Sequence, residues 1–303
     1  MPKLNTKVEE IDGVRLTHPD KLLFADAGID KTDLAEYLLA VSARMLPHVS
    51  GRPLSLVRCP DGASKECFFQ KHTMKGMPSA LKSVPVEEGD GEVAEYLMID
   101  SAAGLVGAAQ IGGLEIHLWG SRWKTLERPD RLVFDFDPDP SIEFPSVREA
   151  ARDMRKLLDA ANLESFAMVT GGKGIHVVVP LNATQDWDEI KAFARGVATK
   201  LAESEPDRFI ATMSKAKRKG RIFIDWLRND RGSTAIAPYS PRAKPQASVA
   251  TPVSWTELLR VPAANAFTIP SILRRHKQTK TDPWKGYFSV RQSIGRKAAK
   301  FFA

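Results

Sequence analysis

The sequence predicts an α+β fold in which a split β-α-β-β-α-β sheet packs on an N-terminal α+β module. Three observations support this prediction. The 303 residues provide enough chain for one large domain or for two fused modules. The composition, 43% hydrophobic and 27% charged, is that of an ordinary globular protein. Strand-like and helix-like periods alternate between residues 131 and 227, whereas short strand-like runs dominate residues 53–118.

The first predicted helix lies near the N-terminus. Apolar residues recur there at helical spacing behind candidate caps at Asp30 and Thr32, and we expect the helix to end near Pro47. Its apolar residues are Leu34, Tyr37, Leu38 and Val41. Short runs divided by Gly, Pro and Asp then predict strands at 54–58, 93–99 and 114–118. Residues 1–125 therefore form the predicted N-terminal module.

Residues 126–280 form the second predicted module. A strand at 132–137 is followed by prolines, and Ser146 with Glu149 forms a capping box for the next helix. Strands at 165–169 and 175–179 flank a glycine-rich turn and form a hairpin. A second helix then leads through a basic loop into a strand at 221–227. The predicted buried faces of the two helices are Val147, Ala150, Ala151, Met154, Leu157 and Leu158, and Ile190, Phe193, Ala194, Val197, Ala198 and Leu201.

This order of elements is the split unit of ferredoxin-like and RNA-recognition folds, in which the first strand lies between the third and the fourth. Both helices cover one face of such a sheet. Because alternate strand residues point to opposite faces, Phe134 and Phe136 belong under the helices. The same alternation sends four ionisable side chains to the open face: Asp135, Asp137, His176 and Asp225.

Three carboxylates on one surface predict a site for divalent cations. Adjacent anions raise one another's pKa and destabilise the fold unless a cation offsets them. Oxygen ligands suit Mg²⁺ or Mn²⁺, and two such ions ~3.5–4 Å apart support phosphoryl displacement. A structural alternative stays open: Asp137 and Asp139 cap a proline-rich turn, and Asp225 pairs with an arginine.

The turn from Thr170 to Gly174 is a second candidate feature. Its glycines let backbone N–H groups approach phosphate oxygens, and Lys173 supplies positive charge. His176, on the same face as the aspartates, makes a triphosphate ligand more plausible. The sequence lacks the Gly-x-x-x-x-Gly-Lys-Ser/Thr pattern of a P-loop ATPase. The alternatives are that the glycines only satisfy positive φ angles and that His176 is a structural histidine.

The charge balance favours a polyanionic partner. There are 44 Lys and Arg against 37 Asp and Glu, which gives a net charge of +7. Five basic residues lie between positions 215 and 221, and nine lie between 274 and 300 against one acid, Asp282. A solvated face is the alternative for either run alone, but together they favour nucleic acid. We expect a less ordered start, and a basic tail at 281–303 that is mobile after about Thr279.

The two cysteines and the hydropathy pattern exclude several classes of protein. Cys59 and Cys67 are too few for a structural zinc site, since only His72 is near them, and we expect both to be reduced. No apolar run approaches the ~20 residues needed to cross a bilayer, and the N-terminus does not resemble a signal peptide. We therefore expect a cytoplasmic, nucleoid-associated protein without a membrane partner.

The motifs resemble those of a known family. Asp135-Phe136-Asp137, the segment 170–177 and Ile224-Asp225-Trp226 are similar to motifs one to three of the archaeo-eukaryotic primase superfamily. More narrowly, four further motifs resemble the polymerase domain of bacterial DNA ligase D, and the resemblance spans residues 13–286. These motifs are His18-Pro19-Asp20-Lys21, Phe68-Phe69-Gln70-Lys71-His72, His117-Leu118-Trp119 and Ala237-Pro238-Tyr239-Ser240-Pro241-Arg242.

The resemblance implies a primase-type fold and assigns roles to individual residues. Asp135, Asp137 and Asp225 would be catalytic and hold two Mn²⁺ or Mg²⁺ ions. The implied nucleotide contacts are His117, Thr170, Gly172, Lys173, His176 and Arg242, with Thr170 replacing the serine usual in the family. Lys21 and Lys31 match lysines that grasp a 5′-phosphate, and Phe68 and Phe69 match an aromatic pair that stacks on DNA.

Two further DNA contacts are candidates on physical grounds. Lys71 lies beside the aromatic pair, which forms a platform for an unstacked base unless both phenylalanines are buried. Arg218 lies in the basic loop, which could hold primer or template phosphates or steer the catalytic strand.

The resemblance implies template-directed nucleotidyl transfer at gaps and double-strand-break ends in non-homologous end joining. The implied substrates are NTPs, favoured over dNTPs, and the implied partners are 5′-phosphorylated DNA, Ku and a DNA ligase. The chain has no Lys-x-Asp-Gly adenylation motif, so we expect it not to seal nicks itself and to be a stand-alone polymerase or a module of a larger ligase. A metal-dependent nuclease and a non-catalytic nucleic-acid-binding module are the alternatives.

Overall fold

The computed structural model describes residues 8–279 and 281–302, which form two compact units interleaved along the chain. The first unit comprises residues 8–118, 236–249 and 267–279, and the second comprises 119–235, 250–266 and 281–302. The modules predicted at 1–125, 126–280 and 281–303 stay a prediction. The less ordered start predicted for the chain falls on residues 1–7, which lie outside the described residues.

The described residues form sixteen strands and seven helices. The strands are β1 Val8–Ile11, β2 Val14–Thr17, β3 Leu22–Phe24, β4 Ile29–Asp30, β5 Leu54–Arg58, β6 Phe68–Gln70, β7 Lys82–Glu87, β8 Val93–Met98, β9 Gly113–Trp119, β10 Arg131–Pro138, β11 Phe166–Val169, β12 Ile175–Pro180, β13 Phe209–Ile210, β14 Ile222–Asp225, β15 Thr234–Ile236 and β16 Thr251–Val253. The helices are α1 Lys31–Val49, α2 Ala102–Gln110, α3 Phe144–Ala160, α4 Trp187–Ser204, α5 Trp255–Leu258, α6 Ile269–Gln278 and α7 Arg296–Phe302. No helix of the described part has the length and apolar character needed to cross a membrane.

The first unit is built on β9, β5 and β6, which pair antiparallel in that order. The strands predicted at 54–58, 93–99 and 114–118 are confirmed as β5, β8 and β9. Its apolar core is formed by the buried faces of α1 and α2 together with β5 and β9. The phenol of Tyr37 crosses this core and donates to Tyr239 O at 2.7 Å. This bond ties α1 to the segment that carries Arg242.

Helix α1 begins and ends close to its predicted positions. Asp30 accepts from the N–H of Asp33, whose side chain accepts from the N–H of Asp30, so the cap is Asp30 and not Thr32. The predicted end near Pro47 is confirmed, because α1 ends two residues later, at Val49. Proline removes one intrahelical hydrogen bond, and here that loss falls in the last turn of the helix.

The second unit is built on a six-stranded sheet with the order β13-β14-β10-β12-β11-β16. The predicted split unit is confirmed, since β10 lies between β12 and β14 and pairs antiparallel with both. Phe134 and Phe136 are fully buried, as expected for the helix-covered face. The edge strands β13 and β16 were not predicted, because two and three residues are too short to show a periodic pattern.

The predictions for the two long helices that cover this sheet had different outcomes. Helix α4 buries the whole apolar face predicted for it. Helix α3 starts at Phe144, with Glu143 as a cap residue that makes no side-chain bond, so the predicted capping box of Ser146 and Glu149 was wrong. Pro145 provides the start instead, because its φ is already helical and its missing N–H would be unpaired in the first turn.

The prediction of a mobile tail was also wrong for residues 281–302. The indole of Trp284 is buried, donates to Ala167 O at 2.8 Å and stacks on Tyr287 with ring centroids 5.0 Å apart. In α7, Phe302 packs edge-on against Phe193 of α4. A Cβ at Gly196 would lie 1.6 Å from Phe302 O, so only glycine lets α7 approach α4 this closely. Packing of these apolar side chains therefore orders the tail despite its positive charge.

The expectation of reduced cysteines is corrected as well, because Cys59 and Cys67 form a disulfide with their Cα atoms 4.3 Å apart. The cause lies in the sheet register. Strands β5 and β6 pair antiparallel with Arg58 opposite Phe68, so the next residues outward face each other. The bond closes the loop at the point where the two strands separate.

Candidate active site

The sheet of the second unit brings four of the predicted site residues together. Asp135 on β10 is opposite His176 on β12 and opposite Asp225 on β14. Asp137 lies two residues further along β10 and so shares their face. The Nε2 atom of His176 is 3.4 Å from Asp135 Oδ1, and the imidazole is buried. Residues far apart in sequence thus meet because β10 is a central strand.

Two arginines pair with these carboxylates. Arg228 Nε lies 3.1 Å from Asp225 Oδ2 and 3.7 Å from Asp135 Oδ2. Arg218 NH1 lies 3.5 Å from Asp137 Oδ2. Asp225 therefore pairs with an arginine, as the structural alternative predicted. Asp139 caps its turn, as the same alternative predicted, because its carboxylate accepts from the N–H and the hydroxyl of Ser141.

The carboxylates still experience a net unfavourable environment. Burial, followed by the charge of Asp135, raises the pKa of Asp137 against the opposing effects of Arg218, Lys173 and Arg228. Burial also raises the pKa of Asp225, with the Asp135 charge adding to it and the Arg228 charge opposing it. Two arginines therefore do not fully offset three carboxylates, and the cluster remains a place where added positive charge is stabilising.

The donor set fits hard divalent cations. Carboxylate oxygens are the ligands that Mg²⁺ and Mn²⁺ prefer, and Asp135, Asp137 and Asp225 provide six of them on one face. In the described residues no group of three His, Cys, Asp or Glu side chains is already arranged around a metal position. The side chains are held by arginines in the present arrangement, so ion binding requires them to change partners.

The predicted phosphate-binding turn joins β11 to β12 beside this cluster. The hydroxyl of Thr170 donates to Gly174 O at 3.1 Å and accepts from the N–H groups of Gly172 and Gly174 at 3.3 Å. Gly171 has a φ of 69°, which favours glycine. A Cβ at Gly174 would lie 2.1 Å from Phe136 O, so this glycine permits close approach to β10. Lys173 is exposed, and its charge acts on Asp137.

Lys21 and Lys31 lie together in the first unit. They line a cavity of about 280 Å³ with His18, Arg58, Pro60, Gln110, Ile111 and Gly112. Lys21 Nζ pairs with Asp61 Oδ1 at 2.7 Å, and Lys31 Nζ donates to Thr17 O at 2.6 Å. Burial, followed by the nearby charge of Lys21, lowers the pKa of Lys31. The cavity is thus a cationic pocket suited to a phosphate.

The aromatic pair on β6 is accessible. The exposed fractions of Phe68 and Phe69 are 43% and 71%, so the alternative of two buried phenylalanines is wrong. Arg58 lies over the Phe68 ring, 5.4 Å from its centroid. Lys71 instead pairs with Glu88 at 2.6 Å and contacts the Tyr96 hydroxyl, so a phosphate at this position must compete with Glu88.

His117 and Arg242 also belong to the first unit, where a residue missed by sequence reasoning joins them. The Glu115 carboxylate is 2.8 Å from His117 Nε2 and 3.2 Å from Arg242 Nε. The signal was present, because Glu115 is two residues before His117 on a strand. The aspartates and the turn lie in the second unit, so the convergence of His117 and Arg242 on the same nucleotide stays a prediction.

The split sheet, its central carboxylates and the adjoining glycine turn define a primase-type nucleotidyltransferase. Comparison with known proteins identifies the family. The family model described as LigD, primase-polymerase domain, matches residues 30–284, and the chain belongs to this family.

Relatives and a solved structure agree with this assignment. The multifunctional non-homologous end joining protein LigD of Pseudomonas aeruginosa is 39% identical over 284 residues, covering 93% of this chain and 34% of the relative. The bifunctional LigD of Bacillus subtilis is 28% identical over 266 residues, covering 88% of this chain and 43% of the relative. The polymerase domain of Mycobacterium tuberculosis ligase D, solved in complex with DNA, is 32% identical with a TM-score of 0.84, covering 91% of this chain and 98% of that chain. The chain spans about a third of the length of the Pseudomonas relative.

Proposed function

We propose that this chain is a template-directed polymerase-primase that adds nucleotides to 3′ ends at gaps and double-strand breaks during non-homologous end joining. The observation that carries the proposal is the meeting of Asp135, Asp137 and Asp225 on one sheet face beside the turn at 170–174. The names of the relatives and the DNA complex of the structural relative support the choice of DNA ends as substrate.

The residues of the second unit have complementary tasks. Asp135, Asp137 and Asp225 would hold two divalent cations, Mn²⁺ or Mg²⁺, which when bound supply charge neutralisation and activation of an attacking hydroxyl. Lys173 binds the triphosphate, as does His176 beside the carboxylate cluster. They thereby hold the nucleotide for attack on its α-phosphorus, which joins it to the 3′ oxygen and releases pyrophosphate.

The first unit supplies the contacts to the DNA end in this proposal. Lys21 and Lys31 bind the 5′-phosphate in the cationic pocket, and the exposed rings of Phe68 and Phe69 stack on bases near that end. Lys71, together with Arg218 of the second unit, adds charge for the phosphate backbone. Ribonucleotides are the preferred substrates, and Ku and a DNA ligase are the protein partners, as the family resemblance implies.

An extension assay tests the catalytic assignment. Wild-type protein is incubated with gapped, 5′-phosphorylated DNA, Mn²⁺ and either NTPs or dNTPs. We expect Asp135→Asn and Asp137→Asn each to reduce extension at least about a hundredfold while DNA binding is retained. Asp139→Asn is the matched control, because Asp139 directly follows the same strand and its carboxylate accepts hydrogen bonds from Ser141. Undiminished extension by the Asp135 or Asp137 variant overturns the assignment, and shortening of the primer indicates a nuclease.

A binding assay tests the assignment of the DNA end. We expect Lys21→Ala to erase the preference for 5′-phosphorylated over 5′-hydroxyl DNA. Lys82→Ala is the matched control, since Lys82 is an exposed lysine on β7 of the same unit and does not line the cavity. A preference that persists in the Lys21 variant places the phosphate pocket elsewhere. Pull-down with purified Ku, and separately with a DNA ligase, tests the two partners.

A further inference from the structure

Glu115 is a buried carboxylate that no catalytic step uses directly. Its side chain is 7% exposed and lies on β9, on the same face as His117 two residues later. Burial of a carboxylate is costly unless cations and hydrogen bonds compensate for it. An apolar residue at this position would avoid the cost of burying a charge. The contacts of Glu115 therefore indicate the role of its carboxylate.

The two oxygens of Glu115 serve two different elements. Oε2 is 2.8 Å from His117 Nε2 on its own strand. Oε1 accepts from the N–H of Ala243 at 2.8 Å and pairs with Arg242 Nε at 3.2 Å. The segment that carries Arg242 is also held against β9 by a backbone bond from Ala237 N to Ile116 O and by a bond from Ile116 N to the hydroxyl oxygen of Ser240. A single carboxylate thus links the side chains of His117 and Arg242.

The protonation state of Glu115 determines which nitrogen of His117 carries hydrogen. Burial alone raises the pKa of Glu115, but the hydrogen bond with His117 and the charges of Arg242 and His117 lower it to about 2. An ionised carboxylate only accepts hydrogen bonds, so Nε2 of His117 must be the donor. A neutral His117 then has Nδ1 as its acceptor nitrogen, and its ring orientation is fixed.

We propose that Glu115 is a positioning residue that sets the tautomer and ring orientation of His117 and the direction of Arg242 for the incoming nucleotide. This inference rests on the proposed function and on the nucleotide contacts that the family resemblance implies for both partners. It adds that their placement depends on one charged side chain that lies between them. Glu115 itself touches no reacting atom.

Nucleotide kinetics provide the first test. Glu115→Gln keeps the shape of the side chain but cannot accept from both partners, because one of its two terminal atoms is now a donor. We expect the KM for the nucleotide to rise at least about tenfold, kcat to fall less, and the Kd for phosphorylated DNA to stay unchanged. Asp153→Asn is the matched control, since Asp153 also lies between two cations, Lys156 and Arg208, but in the second unit. Unchanged KM in the Glu115 variant overturns the proposal.

Two measurements separate the failure of this inference from the failure of the proposed function. Titration with a fluorescent NTP in the absence of DNA reports nucleotide affinity even if no extension occurs, and we expect it to weaken about tenfold in Glu115→Gln. Long-range ¹H–¹⁵N spectra report the tautomer of His117, assigned by His117→Ala, and we expect Nε2–H in the wild type and its loss in the variant. A wild type without extension overturns the proposed function alone. An unchanged titration or tautomer overturns the role of Glu115.

A second variant keeps the test decisive if Glu115→Gln fails to fold. Glu115→Asp retains the charge but is one methylene shorter, so it cannot reach both His117 and Arg242. We expect it to fold, to remain ionised and to show a nucleotide affinity between that of the wild type and that expected for Glu115→Gln. Wild-type affinity in Glu115→Asp contradicts the proposal, because it shows that the span between the two partners is unimportant.

Discussion

In both units, some charged side chains contact two partners at once. Arg228 contacts two carboxylates, Asp225 and Asp135, and Glu115 contacts the His117 imidazole and the Arg242 guanidinium. Such pairs are close to neutral for stability because desolvation offsets attraction, but loss of one member leaves an uncompensated buried charge. At the carboxylate cluster the compensation is incomplete, which raises the pKa of Asp137 and Asp225. These carboxylates are therefore charged at some expense of stability.

The lowered pKa of Lys31 predicts a pH dependence for DNA-end binding. A phosphate binds best to the protonated lysine, so affinity is full below this pKa and declines as the pH rises through it. The decline should begin at a lower pH than for an ordinary lysine, because burial and the Lys21 charge favour the neutral amine. Lys31→Arg should keep the affinity and abolish the decline. The Kd for 5′-phosphorylated DNA, measured across an alkaline pH series, checks this.

Lys21→Arg is the control for this measurement, since it changes the more exposed lysine of the same pocket and should leave the decline in place. Equal pH profiles for the wild type and Lys31→Arg contradict the assignment to Lys31. The 5′-hydroxyl form of the same DNA, run in parallel, separates the effect on the phosphate from a general effect on the fold.

At the level of single residues, the alternation of strand side chains was enough to predict that Asp135, His176 and Asp225 would meet. That argument needs only the parity of each position and the order of the strands. It could not predict the partner of each charge, because Arg228 follows β14 in a 3₁₀ turn whose direction has no periodic signal. Glu115 was missed for a different reason: its role depends on Arg242, which is distant in sequence.

At the level of elements, strands β5 and β6 show how register places functional groups. Their pairing sets Arg58 opposite Phe68, and the disulfide between Cys59 and Cys67 holds the loop that follows. Pro60 of this loop lines the cationic cavity, and Phe68 begins the exposed aromatic pair. The closed loop therefore connects the cationic pocket to the exposed aromatic pair.

Replacement of both cysteines by serine is expected to destabilise this corner. Removing a cross-link with a sequence separation of 8 restores loop entropy worth about 2–3 kcal/mol to the unfolded chain. We expect faster amide exchange in β5 and β6 and weaker binding of 5′-phosphorylated DNA, with nucleotide affinity unchanged. Peptide mapping without reductant first shows whether the bond has formed. Exchange rates equal to those of the wild-type protein contradict the proposed role of the loop closure.

Elements with a clear periodic pattern were predictable. The buried face of α4 follows from helical periodicity, and the order of β10, β11, β12 and β14 follows from the succession of strand and helix patterns. The error at the start of α3 lies where one local signal opposed another, because Pro145 competed with the Ser146 capping box.

At the level of the whole molecule, the chain returns to each unit after leaving it. Residues 236–249 and 267–279 belong to the first unit, whereas 250–266 and 281–302 belong to the second. Sequence patterns describe neighbours along the chain, so they divide it into consecutive modules and do not reveal such interleaving. The basic tail also departs from its sequence pattern, because its composition indicates a solvated segment but Trp284, Tyr287 and Phe302 are buried in the second unit.

The tail allows a final prediction that separates its packing from its charge. Truncation after residue 280 removes the buried side chains of Trp284, Tyr287 and Phe302, each worth about 1.5–3 kcal/mol, so we expect marked destabilisation of the second unit. Replacing the exposed Arg296, Lys297 and Lys300 by Gln should change stability by less than about 0.5 kcal/mol but weaken DNA binding and make it less dependent on salt. Urea titration and DNA affinity at several salt concentrations check the two effects. If the charge variant binds DNA like the wild type, the tail contributes to the core and not to DNA binding. If the truncated protein retains full stability, the tail does not contribute to the core.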